Sequence, residues 1–592
     1  MGNDSSAGGR VISRRSLLYA AAGIGAAGVS FAAGWSVHGQ LPAGSDRPTI
    51  GPPPEFPGSI DLYQQTYRNW SGEVSVDHVW TTSPRTPSEI VEIVNWAHLH
   101  GWRIRPRGKS HGWSPFVLPA GHSGAGYLLV DTTRHLTALQ VDTGGSPATV
   151  TAQTGVTMDV LLSQLSARGL GLTANPAPGD LTLGGVLAIG GHGTAIRADG
   201  ETPVPDTTYG SVSNLVLSLT AVVWDAGAGT YALRTFHRDD PGIGPLLVHM
   251  GRSLVTEATL QVGREVALRC QSILTIPQET LFAPPSRAGS QSFQSLVLSS
   301  GRVEAIQFPF TRYPWVKVWT VEPTPPPASR PVSEPYNYPF ANTISEAQSS
   351  SIRRSLLENP SSTKGFMGSE FSTVVSSLES EGATDVWGPA HCSTLYVKPT
   401  TLRVTANGYA VLCATHSIQR VVNDFTTRYA QLIAEQASRG HFPIQGPIEF
   451  RVTGLDHPGD VNSHRPQHAL LSALRPRPDH PQWNCAVWID ALSFPGAPHS
   501  AQFYERLEAW MLGNYSGSYA SIRFEWSKGW AYSEAGAWSN SSMLTSTIPE
   551  MYTSGQPSGS GWAETVAALD AYDPHRVLTG PLHDAIMPTQ TQ

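Results

Sequence analysis

The chain is poor in charge: Asp, Glu, Lys and Arg make up 14% of its 592 residues, and the formal net charge is -7. No run or stripe of Lys and Arg is present that would displace counterions along a phosphate backbone, which excludes a nucleic-acid-binding role. So few charges point to a small substrate, neutral or apolar. Cysteine is scarce as well. The four that occur, Cys270, Cys392, Cys413 and Cys485, are too widely spread for a C-x-x-C metal knuckle or redox pair and too few for a disulfide scaffold. There is no H-E-x-x-H metal motif, no G-x-S-x-G nucleophile elbow and no internal repeat. No metal site is expected.

Glycine and proline, by contrast, are plentiful at 57 and 47 residues, which implies many turns and loops, while 40% apolar residues suffice for a globular body. The length exceeds what one core supports, so two domains are expected. The first 40 residues read as a signal peptide. Ser13-Arg14-Arg15-Ser16-Leu17-Leu18 is a twin-arginine signal, followed by a weakly apolar stretch from Tyr19 to Gly34 that is too short and glycine-rich for a good membrane span. Cleavage is expected in preference to a retained anchor, and export to the periplasm or the medium. Gly23 to Gly28 spells G-x-G-x-x-G, but no strand precedes it, so it is not a dinucleotide motif. Folding before export favours free buried thiols at the four cysteines.

After a Pro/Gly-rich linker over residues 41–58, Thr86-Pro87-Ser88-Glu89 opens an amphipathic helix that Gly101 ends. A short strand, Arg103 to Arg107, feeds Gly108-Lys109-Ser110-His111-Gly112-Trp113-Ser114, a small-residue loop of the kind whose backbone N–H groups face an anion. Strands are expected at Tyr127 to Asp131 and Ala148 to Thr154, and a helix at Met158 to Arg168. Next come Asn175-Pro176-Ala177-Pro178-Gly179-Asp180, Leu183-Gly184-Gly185 and Ile189-Gly190-Gly191-His192-Gly193-Thr194. Two such turns imply close backbone approach to a phosphate; tight turns of purely structural purpose are the alternative. From about residue 270, Pro- and Ser-rich stretches, among them Ser345 to Ser362, separate strand-like runs at Val303 to Phe308, Leu402 to Ala406 and Ile448 to Val452. Helices are expected at Val421 to Glu435 and Ala501 to Leu512. In Glu449-Phe450-Arg451, strand alternation sends both charges to one face. Arg523 to Trp530 reads as a second charged strand. Charges on buried strands are costly unless paired or employed, and structural Glu449–Arg451 or Glu525–Lys528 ion pairs are the alternative to a site.

In order and spacing, Arg107 to Ser114, Leu183 to Thr194 and Gly251 to Leu260 resemble the three FAD-binding segments of the vanillyl-alcohol oxidase family. The resemblance implies an α+β fold of two domains, an FAD-binding domain over residues 59–265 and a sheet-based substrate domain over 266–555, with 556–592 returning to the FAD domain. It implies FAD held by Arg107, Gly108, Lys109, Ser110, His111, Gly112, Gly179, Leu183, Gly184, Gly185, Gly190, Gly191, His192, Gly193, Thr194 and Val255, with the flavin 8α-carbon bonded to His111. Gly184 stands where some relatives carry a second attachment cysteine, so one bond is expected.

The Glu449 and Arg523 runs, with Val303 to Thr311 and the aromatic Trp315 and Trp319, resemble the bacterial covalent-flavin cholesterol oxidases. That resemblance implies a small apolar steroid and O2 as reactants and a transient membrane-surface contact for substrate extraction. Oxidation of a 3β-hydroxyl with peroxide release would be joined by a Δ5 to Δ4 shift. It places Arg451 by the flavin, Glu449 as acid/base and Glu304 in a gate with Arg451, with Lys528, Glu525 and Asp490 completing the polar end of the cavity. Rival readings are a sugar-alcohol or lactone oxidase of the same family, or a flavin dehydrogenase with a protein or quinone acceptor.

Overall fold

Alternating and continuous apolar runs become three sheets in the computed structural model, which describes residues 51–336, 345–395 and 402–589. Met1–Gly51 is a unit of its own and Pro52–Gln592 another. The twin-arginine segment lies outside the described residues, as does most of the linker. Among the described residues no helix is long and apolar enough to cross a membrane.

The first sheet holds β1 (Leu62–Arg68), β2 (Ser75–Thr82), β3 (Arg103–Arg107) and β4 (Tyr127–Asp131) in the order β1-β2-β4-β3. Its helix α1 (Pro87–His100) is capped by Thr86, whose side chain accepts from Glu89 N, and ends at Gly101 with φ 68. Parallel pairing of β3 with β4 points the end of β3 into the loop that starts at Gly108. The second sheet contains β5 (Leu139–Asp142), β6 (Ala148–Gln153), β7 (Leu170–Gly171), β8 (Val216–Asp225), β9 (Thr230–His237) and β10 (Leu254–Arg264), in the order β5-β6-β10-β8-β9 with β7 also on β10. Helices α2 (Met158–Ser166) and α3 (Leu183–Ile189) supply Leu161, Leu162, Leu165, Val186 and Leu187 to the core against it.

Every later strand joins one nine-stranded sheet: β11 (Ala267–Ile273), β12 (Arg302–Gln307), β13 (Trp315–Val321), β14 (Arg330–Pro331), β15 (Asp385–Pro389), β16 (Thr405–Cys413), β17 (Ile448–Gly454), β18 (Cys485–Ser493) and β19 (Ala520–Phe524). Its order is β14-β15-β11-β13-β12-β17-β18-β16-β19. The helices Ile418–Ser438 and Ser500–Asn514 pack on one face, where Phe450 meets Phe282, Phe293 and Phe425. The C-terminal segment turns back to the first two sheets. Buried Arg252 pairs with Asp573, Arg105 donates to the Leu578 carbonyl, and His583 bonds the Met250 carbonyl. All four cysteines are buried.

Three expectations are corrected. The Ser-rich stretch from Ser345 is helical over Glu346–Glu358, with a capping box between Ser345 and Gln348, and a second helix follows at Thr363–Ser380. The run from Leu402 becomes strand only at Thr405. Arg523 to Trp530 is not one strand: β19 stops at Phe524, and the chain turns, with Lys528 N donating to Glu525 O at 3.0 Å.

Candidate active site

A cavity of about 350 Å³ opens between the glycine loops and the large sheet. Arg107, Gly108, Lys109, Ser110, His111 and Gly112 form one wall, and Gly184, Gly185, Gly191, His192 and Val255 another. Glu449, Arg451, Glu525 and Lys528 line the far end, together with Trp113, Val404 and Leu492. Other expected residues stand elsewhere. Leu183 is core packing, Gly190 is the left-handed cap of α3 with φ 67, and the Gly179 carbonyl accepts from Asp159 N at 2.8 Å. Gly193, Thr194 and Glu304 line a second cavity of about 60 Å³, which shares His192 and Arg451 with the first.

The loops bring their backbone so close to neighbouring elements that side chains would not fit at three of the glycines. A Cβ on Gly184 would come 2.8 Å from Thr154 Cβ, one on Gly191 2.8 Å from Val186 Cγ1, and one on Gly108 would strike the Thr182 side chain. Ser110 adopts φ 59, a left-handed turn costly for a side-chain-bearing residue, with its buried hydroxyl lacking a partner. Two further unpartnered buried polar atoms, His249 Nε2 and Ser253 Oγ, belong to residues that line this cavity. Such a cradle of glycines and unmet polar groups fits the phosphates and ring of a dinucleotide. The loop is anchored by Trp113 N to Ser527 O at 2.7 Å and by Trp70 N to Ser110 O at 2.8 Å.

Sheet register assembles the polar end. Lys317, Glu304, Arg451 and Trp488 are successive cross-strand partners on β13, β12, β17 and β18, while Glu449, Asp490 and Gly408 form the neighbouring row. Arg451 bonds Asp490 and lies 3.6 Å from Glu449 and 3.7 Å from Glu304; Lys317 bonds Glu304. Lys528 stands 3.5 Å from Asp490 and 4.2 Å from the centre of the Trp113 ring, so its counter-charge is Asp490, where Glu525 was the alternative. A Cβ at Gly408 would come 2.5 Å from Lys528 Cγ and 2.7 Å from Asp490 Oδ1, which is why that strand position is glycine.

Four carboxyls thus face three cations in a buried space, so one carboxyl is under pressure to stay protonated. Burial pushes Glu449 up, Arg451 pulls it back, and Glu304 and Asp490 push it further, leaving it raised. For Glu304 burial is outweighed by Lys317 and Arg451, and its carboxyl is lowered. Burial works against the Arg451 charge, yet Asp490, Glu449 and Glu304 outweigh it and hold the guanidinium firmly protonated. His192, stacked on Trp488 at 3.5 Å, is lowered to about 3 by burial and by Arg451, and is a neutral wall.

Three residues at the site escaped the sequence reading. Lys317 was signalled by a lone lysine inside an apolar strand, and Gly408 by nothing local. Asp180, whose Oδ1 lies 2.9 Å from His111 Nε2, reads in sequence as an ordinary turn acid.

Comparison with known proteins follows the same division. Residues 81–227 match the family model "FAD binding domain", which makes the chain an FAD-binding flavoprotein oxidoreductase. Residues 267–588 match "Cholesterol oxidase, substrate-binding". The chain belongs to the cholesterol oxidase family. Among solved structures it is 50% identical to a "Solvent-stable cholesterol oxidase", over 90% of this chain and 100% of that one, with a TM-score of 0.89. It is 41% identical to the cholesterol oxidase from B. sterolicum, over 91% and 99%, also with a TM-score of 0.89. L-gulonolactone oxidase 3 of Arabidopsis thaliana is 24% identical over 176 residues, 29% of this chain and 28% of that protein, so the chain spans under a third of that curated relative.

Proposed function

We propose that the chain oxidises the 3β-hydroxyl of a sterol to the ketone with FAD and O2, releasing hydrogen peroxide. It then moves the Δ5 double bond to Δ4, and holds its flavin by a covalent bond to His111. The observation that carries this reading is one cavity with His111 in a glycine-walled cradle at one side and the buried Glu449–Arg451 pair at the other.

When bound, FAD supplies the two-electron acceptor for the carbinol hydride and returns the electrons to oxygen. The chain's own groups do the rest. Glu449, made a stronger base by the burial that raises its carboxyl, takes the hydroxyl proton and later shuttles a proton from C4 to C6. Arg451, fixed by Asp490, meets negative charge developing on the substrate oxygen. Trp113, Val404 and Leu492 suit an apolar ring system better than a polyol, which counts against the sugar-alcohol and lactone readings. That Arg451 lines both cavities and stands 3.7 Å from Glu304 supports reading the pair as a gate. Peroxide release with cholesterol and none with a polyol tests the assignment; the reverse result, or electron transfer to a quinone with no peroxide in air, overturns it.

Covalent attachment predicts that acid-precipitated protein stays yellow. His111→Ala should release its flavin to the supernatant, keep part of its activity and show a lower flavin potential. Flavin that washes out of the unaltered protein under denaturant would refute the bond.

The twin-arginine segment supports export of the folded, flavin-loaded chain, and an apolar sterol substrate calls for a transient membrane-surface contact during its extraction. Changing Arg14 and Arg15 to Lys should retain activity inside the producing cells. Unchanged activity outside the cytoplasm would sink the export reading.

A further inference from the structure

His111 is held from outside its own loop. The 2.9 Å contact between its Nε2 and Asp180 Oδ1 joins two segments whose backbones are independently fixed. Both neighbours of Asp180 are pinned to the start of α2, since the Leu181 carbonyl accepts from Met158 N at 2.8 Å and the Gly179 carbonyl from Asp159 N at 2.8 Å. On the other side, Ser110 O and Gly112 O are tied to Trp70 N and the Asn69 side chain. The two side chains therefore meet through rigid supports on either side.

The pairing sets the protonation pattern. Burial acts to raise the Asp180 carboxyl, but the hydrogen bond and charge of His111, with Lys109 nearby, outweigh it and hold it below the ordinary carboxylate range. An ionised carboxylate only accepts, so the nitrogen facing Asp180, Nε2, is the one that carries a proton, and the other nitrogen, Nδ1, is the one that can present a lone pair.

We propose that Asp180 is the positioning residue for self-attachment of the flavin: it fixes the His111 tautomer that is nucleophilic at Nδ1 and accepts the Nε2 proton as the new bond forms. This rests on the covalent reading given above. In the step, the Nδ1–C8α bond forms and one C–H bond of the flavin 8α-methyl breaks. The Nε2 proton goes to Asp180, the methyl proton is released, and two electrons remain on the flavin. O2, which the oxidase reaction already consumes, takes those two electrons with the two protons as hydrogen peroxide and restores the oxidised cofactor.

The test uses the full-length protein purified with its flavin. Asp180→Asn keeps an acceptor oxygen but loses the charge; Asp180→Glu restores a carboxylate. For each, the flavin retained in the acid pellet is followed during aerobic incubation beside total bound flavin. The Asn chain is expected to hold FAD without a bond and to attach it at least about tenfold more slowly than wild type, within the contribution of a positioned base. The Glu chain is expected to recover part of the rate. Wild-type attachment in the Asn chain overturns the role of Asp180, whereas loose flavin in the unaltered protein overturns the covalent reading itself. A second measurement needs no variant: NMR of the flavopeptide released from wild-type protein should show the bond at Nδ1. A bond at Nε2, the nitrogen that Asp180 holds, overturns the proposal.

Discussion

Arg451→Ala is expected to slow reduction of the bound flavin by cholesterol roughly 30- to 1,000-fold, a barrier increase of about 2–4 kcal/mol, as when one preorganised donor to a developing oxyanion is removed. The prediction follows from how the guanidinium is fixed. Its strand places it opposite Glu304 on one side and Trp488 on the other, and Asp490 beneath it is fully buried, so the charge is aimed before substrate arrives. Arg451→Lys keeps a cation but loses the planar fork, and should fall between the two. Removing one partner of a buried ion pair also destabilises a fold by about 3–5 kcal/mol. The thermal midpoint and flavin content are therefore measured alongside, and only a folded, loaded variant is scored. Anaerobic rapid mixing at saturating cholesterol reads the step directly. A wild-type rate in that experiment removes Arg451 from the chemistry.

How much of this was written locally in the chain depends on the range of the interaction. The cradle was legible because Gly108 directly follows β3 in one loop, while Gly184 and Gly191 stand at the two ends of α3 in another, and each announces close backbone approach. Glu449 and Arg451 were legible because a two-residue period puts both charges on one face and Phe450 on the other, and Phe450 is indeed 0% exposed in the core. Partners were harder. That Lys317 belongs to Glu304, and Lys528 to Asp490, is decided by register in a sheet whose strands come from distant parts of the chain. No local pattern states that register.

The misread segments failed for a different reason. Serine reads as loop because its hydroxyl competes for backbone groups, yet at Ser345 the same hydroxyl caps a helix, and Gln348 three residues on was the signal for it. The aromatic run after Phe524 has the composition of a strand, but the chain turns at Glu525 so that Trp526 and Trp530 enter the core while Glu525 and Lys528 face the cavity. Tertiary packing there overrides β-propensity.

Glu449→Gln separates oxidation from isomerisation and so isolates what a proton-accepting group contributes. Gln keeps the length and hydrogen bonding of Glu but takes up no proton. If Glu449 only positioned the hydroxyl, both reactions would suffer alike. A carboxyl raised by burial and by two carboxylate neighbours, with Arg451 3.6 Å away, is a stronger base than an ordinary carboxylate and is suited instead to exchange a proton with the substrate. The Gln variant is therefore expected to accumulate cholest-5-en-3-one while hydride transfer continues at a reduced rate, with isomerisation down about 10²–10⁴-fold, the usual contribution of general acid–base catalysis. In the unaltered protein isomerisation requires the deprotonated base, so its rate should climb with pH through the raised range of Glu449. That dependence should vanish in the variant. Glu304 is a poor substitute, because Lys317 and Arg451 lower its carboxyl and it lines the smaller cavity. Glu525 lies within the main cavity and is the competing candidate. Lys528→Met should disturb substrate placement more than proton transfer. Chromatography of the products decides: a Gln variant that converts cholest-5-en-3-one to the conjugated enone at the wild-type rate means that Glu449 is not the isomerisation base, and Glu525→Gln becomes the variant that should block it.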